Sequence, residues 1–203
     1  MPSLIERLLG GDEEAGVDLQ EREDLAHDRL QTRVDGRPNV DDAGVTGVAV
    51  VNEGPDGEPV TVPIARFSLE AEEVAPGDEA VWELVEAALR ALVGPFDDVY
   101  VRHYDVQFTF GDDGLFDAGE CRRVAVPPEH ADRLVTEPGW GVADLREALL
   151  SGHDIDDAIA PVAWGECVDY SRRNDAAVVA GAAATAAGAS AAGASCAGAG
   201  GSC

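Results

Sequence analysis

Residues Asp98–Phe110 read DVYVRHYDVQFTF, and their alternation decides how the rest of the chain is read. Even positions Tyr100, Tyr104, Val106, Phe108 and Phe110 share one face, interrupted by Arg102. Odd positions Val99, Val101, His103, Asp105, Gln107 and Thr109 share the other. A period of two is the signature of a half-buried strand, so the aromatic face is expected against a core and the odd face toward water.

Upstream, Asp78–Val93 carries an apolar stripe through Val81, Trp82, Val85, Leu89 and Leu92, which predicts one long amphipathic helix. Asp78 is the expected cap, and Gly94-Pro95 the stop. Val45–Asn52 and Val60–Ser68 are β-rich runs around a Pro55-Asp56-Gly57 turn, a hairpin signal. Pro63 lacks an N–H, which assigns the second of these strands to an edge or a bulge. Glu120–Val126 (ECRRVAV) reads as a strand paired with Asp98–Phe110. The order β-β-α-β-β predicts a two-layer α+β fold with a mainly antiparallel sheet. Short helices follow at Pro127–Val135, Val142–Leu150 and Asp154–Ala160, and Val162–Tyr170 reads as a last strand or packing segment.

Three regions emerge. Residues 1–44 form an N-terminal helical and linker segment, 45–170 the α+β domain, and 171–203 a low-complexity Ala/Gly/Ser/Cys tail. Leu4, Ile5, Leu8 and Leu9 fall on one face of a short first helix. Val17–Val34 reads as a polar helix capped by Asp18, either solvent-bridging or marginal. In the tail, AAGAS at 186–190 recurs at 191–195 and becomes CAGAG at 196–200. Helix is expected from Ala176 to about Ala187, beyond which glycines oppose it.

The chain has 40 acidic and 14 basic residues among 203, a net charge of −26. All fourteen cations are Arg, and the acids are spread along the chain. Such a surface repels phosphate backbones, which disfavours nucleic acid as a partner. Dispersed charge argues for solubility in molar salt, where the Debye length falls to about 3 Å, rather than for a dedicated acidic contact surface. The composition resembles that of proteins from salt-in haloarchaea, a likeness of proteome and not of family.

Candidate chemistry is sparse. His103, Asp105 and Gln107 could line a ligand groove on the odd strand face, with Cys121 on the neighbouring strand facing His103. Asp154-Ile155-Asp156-Asp157 reads as an acidic first helical turn. The four cysteines form no C-x-x-C pair, and with no export signal they are expected reduced, in the cytoplasm. The tail thiols Cys196 and Cys203 are candidates for a soft metal, a crosslink or a lipid, although two ligands without His make a poor zinc site. No P-loop, G-x-G-x-x-G, G-x-S-x-G or H-E-x-x-H occurs, so neither a catalytic residue nor a cofactor is assigned.

These observations favour a salt-adapted, non-enzymatic cytoplasmic domain that binds a protein partner or a small ligand. The alternatives are a tail-anchored membrane protein, the precursor of a modified C-terminal peptide, and an enzyme without a recognisable motif. Arg172-Arg173 before the uncharged run suits an anchor, but Ala and Gly supply little transfer energy.

Overall fold

The computed structural model describes residues 18–38, 40–69, 78–110, 120–164, 170 and 177–179. The chain is α+β: helices packed on one mixed sheet. Helix α1 spans Leu19–Val34, capped by the Asp18 carboxylate, which accepts from the Gln20 and Glu21 N–H groups. Its buried positions Leu19, Glu23, Ala26, Leu30 and Val34 recur every three or four residues. The polar helix therefore is neither marginal nor bridging: its narrow stripe packs on the sheet and the next helix. Gly44 permits the close approach, since a Cβ there would sit 3.1 Å from the His27 ring.

Strands β1 (Val40–Glu53) and β2 (Pro59–Leu69) form the expected hairpin. Gly57 turns the chain with φ +85°, a conformation that glycine adopts at little cost. Helix α2 spans Asp78–Leu92, so Asp78 is its first residue rather than its cap, and a 3₁₀ turn at Gly94–Phe96 ends it. Strands β3 (Tyr100–Val101), β4 (Tyr104–Phe110) and β5 (Glu120–Val126) follow. Then come α3 (Pro128–Thr136), α4 (Val142–Ser151), β6 (Val162–Trp164) and β7 (Ala177–Val179).

The strand order is β6-β5-β4-β2-β1-β7, with β3 on β2. β4 and β3 run parallel to β2, and the other pairings are antiparallel. The parallel junction follows from α2, because parallel neighbours need a crossover connection. Phe67 of β2 and Phe108 of β4 stand opposite each other and stack with centroids 5.3 Å apart. Ala65, Phe67, Leu69, Tyr104, Val106, Phe108, Val124 and Val126 join residues of all four helices in one core. Trp82 belongs to it at 4% exposure.

Four expectations are corrected. Asp98–Phe110 is not one strand, because it breaks at Arg102-His103. Across the break the alternation slips, so Val101 and Tyr104 share the core while Tyr100 is exposed. Pro63 explains the break: it lies on an interior strand, not an edge, and its missing N–H falls between the β2–β3 and β2–β4 ladders. Asp154–Ala160 is not a helix but a turn closed by an Ile155–Ile159 bridge, with Asp156 and Asp157 at φ +53° and +54°. Of the expected tail helix, the described residues Ala177–Val179 instead pair with Val48–Val50 at the β1 edge. The short helix at Leu4–Leu9 and the tail thiols Cys196 and Cys203 lie outside the described residues.

Candidate functional site

The sheet face opposite the helices carries the polar residues singled out on β4. That face is not wet. His103, Asp105 and Gln107 have no exposed surface, and Arg123 of β5 retains 9%. Ala49, Val62, Ile64 and Tyr170 form a small apolar cluster beside them. Tyr170 is itself 3% exposed, so the chain beyond β6 helps to cover this face.

Backbone register places the parts. Arg123 stands directly opposite Gln107, and its long side chain reaches diagonally to Asp105. Arg123 Nε donates to Asp105 Oδ1 at 2.8 Å. The Tyr170 hydroxyl donates to Asp105 Oδ2 at 2.7 Å, and Gln107 Nε2 donates to the same oxygen at 3.2 Å. Arg123 Nη2 donates to the Tyr170 oxygen at 3.0 Å and to His103 Nε2 at 3.2 Å. With that nitrogen accepting, the ring proton belongs on His103 Nδ1. Arg66 Nη2 donates to Gln107 Oε1 at 2.9 Å, carrying the network outward to an exposed residue.

The electrostatics follow from burial and pairing. Burial, then the adjacent Asp105 carboxylate, lifts the Tyr170 phenol well above its ordinary value of 10.0. Burial works against the Arg123 charge, but Asp105 and Tyr170 more than compensate, and its pKa lies above the usual arginine value. A buried carboxylate and guanidinium tolerate each other only when hydrogen-bonded as here; removing either strands the other.

Cys121 does not meet His103. It is opposite Thr109, six residues along β4 from His103 and hence about 20 Å away, so the proposed thiol–imidazole pair fails on register. Cys121 is also disulfide-bonded, which overturns the expectation of a reduced thiol there. Its Sγ is therefore not a free nucleophile. The remaining cysteines lie outside the described residues. The Asp154–Asp157 acids do not begin a helix; Asp156 accepts from Arg102 Nε at 2.9 Å. Among the described residues, no group of three or more His, Cys, Asp and Glu side chains could hold a metal ion, and no helix is long and apolar enough to cross a membrane.

No family model, curated protein or solved structure matches this chain. The network's meaning therefore rests on its own geometry. Three of its members, Arg66, Arg123 and Tyr170, were not singled out from sequence. Arg123 carried a signal: an Arg inside an apolar strand, ECRRVAV, demands a buried anion. Tyr170 carried none, since its partners Asp105 and Arg123 lie 65 and 47 positions away.

Proposed function

We propose that this chain is a salt-adapted, non-enzymatic binding or interaction domain. In this reading a two-layer α+β core carries a dispersed acidic surface and a low-complexity tail, and its partner is a protein or a small ligand. The dispersed net charge of −26, with no Lys, supports the salt adaptation.

The observation that carries the non-enzymatic reading is the closure of Asp105. Its two carboxylate oxygens are taken by Arg123, Tyr170 and Gln107. A general base must reach the proton it abstracts, and this carboxylate is turned inward on its neighbours. His103, Asp105, Gln107 and Arg123 thus work as a polar lock on Tyr170 rather than as contacts for a free ligand. The disulfide at Cys121 bears against a reducing compartment, where such bonds are rare.

Crosslinking at native salt tests the binding role: one recurrent partner, lost in a chain unfolded by dilution, supports it. Turnover of a metabolite by the purified chain, abolished by Asp105→Asn with the fold intact, would overturn it.

A further inference from the structure

Helices α1 and α2 lie antiparallel. Arg22 near the start of α1 pairs with Asp98 beyond the end of α2, and Arg37 just past α1 pairs with Glu83 in α2 at 3.5 Å. Between them runs a groove of about 900 Å³, whose lining includes Arg29, Arg33, Arg37, Arg90, Glu83 and Glu86. Four of the chain's fourteen cations meet there with two carboxylates, a local formal charge of +2 in a chain of −26.

The spacing is ordered. Arg29, Arg33 and Arg37 follow one another at four-residue steps, about 6 Å apart along the axis where the chain is helical. Arg29 Nη1 rests over the Gly94 backbone, where a Cβ would come within 2.6 Å. Both acids of the groove are engaged: Glu86 accepts from Arg90 Nε at 2.9 Å, and Glu83 faces Arg37. Arg29 and Arg33 have no carboxylate within ion-pair distance among the described residues.

That vacancy is the informative feature. Acids outnumber cations 40 to 14, and Arg22, Arg102, Arg123 and Arg133 each hold a carboxylate. Among the described residues Arg66 also lacks an ion pair, but it donates to Gln107, whereas Arg29 and Arg33 adjoin in one groove. We infer that the groove between α1 and α2 binds a phosphoryl-bearing small molecule, with Arg29 and Arg33 as its principal contacts and Arg37 and Arg90 flanking them.

Phosphate is favoured over carboxylate on two grounds. Among the described residues, none of the chain's carboxylates lies within ion-pair distance of Arg29 or Arg33. A phosphoryl group brings more charge and more acceptor oxygens to the guanidinium fork. In molar salt the attraction acts only at contact, so multiple short bonds rather than long-range steering must hold the ligand. The inference rests on the reading of this chain as a binding domain, but its test runs at whatever salt keeps the fold intact. Failure of the salt-adaptation reading therefore leaves it readable.

The test is thermal denaturation of the full chain with inorganic pyrophosphate, ADP, adenosine and a tetraglutamate peptide as probes. Pyrophosphate and ADP should raise the midpoint, adenosine and tetraglutamate should not, and Arg29→Gln with Arg33→Gln should weaken the response about tenfold. Both side chains are exposed, so the variant's unliganded melt should match the parent. Should it not fold, Arg33→Gln alone gives the same comparison. No shift with either phosphate, an equal shift with tetraglutamate, or an undiminished shift in the variant overturns the proposal.

Discussion

The Tyr170 hydroxyl donates to Asp105 Oδ2 at 2.7 Å while accepting from Arg123 at 3.0 Å, and so closes a ring of three buried groups. A phenol here does what a water would do at a surface, satisfying both ions at once.

Tyr170→Phe keeps the ring and deletes the hydroxyl. Hydrogen bonds to charged groups are worth about 1.5–3 kcal/mol, and chemical denaturation should show a loss of that size. An unmoved midpoint would mean that Tyr170 does not close the network in solution.

Breaking the ion pair should cost more than deleting it. Asp105→Asn leaves Arg123 buried without its counter-ion and should cost about 3–5 kcal/mol. Asp105→Leu combined with Arg123→Met removes both charges and should lose less than the single variant. The reverse order, in equilibrium unfolding, would show that the pair itself supplies net stability.

Alkaline pH should weaken the fold through Tyr104 and Tyr170. Burial, aided at Tyr104 by Asp132 and Asp97 and at Tyr170 by Asp105, raises both phenols above 10.0. The unfolded phenols ionise first, so this stability is fully present below pH 10 and is lost as pH climbs toward the folded values. Denaturation midpoints should fall above pH 10, and fall less in the Tyr170→Phe chain. A flat alkaline profile would contradict the burial of both rings.

The interior half of the long helix offers a simpler test. Trp82 is 4% exposed in the main core, and Trp82→Ala should cost about 3–5 kcal/mol. A negligible change would place the indole at the surface.

Charge gives the last prediction. At −26, self-repulsion should unfold the chain cooperatively on dialysis from multimolar KCl into dilute buffer. A near-ultraviolet circular dichroism spectrum that does not change would remove salt adaptation from the account.

The parts readable from sequence are those fixed by neighbours along the chain. Asp18 caps α1, Gly94-Pro95 ends α2, Pro128 opens α3, and the alternation of Tyr104, Val106 and Phe108 gives β4 its core face. What escaped depends on residues far away. The break at Arg102-His103 needs Pro63 beside it, and Ala177–Val179 become a strand because β1 presents an edge. DIDDAIA satisfies helical patterning, yet Asp156 and Asp157 turn left-handed where Arg102 holds Asp156. For the candidate site the residue types on β4 were legible, but their burial was not. The odd face looked wet because nothing in its own pattern announces Tyr170.

Placing Tyr170 so far downstream of its partners imposes an order on biosynthesis. A ribosome delivers β4 and β5, and with them Asp105 and Arg123, well before Tyr170 leaves the exit tunnel. For that interval the nascent sheet carries a charged pair without the group that completes it, on a face still open to solvent. The ring around Asp105 can therefore close only after every strand from β1 to β6 has been made, when a single aromatic side chain arrives.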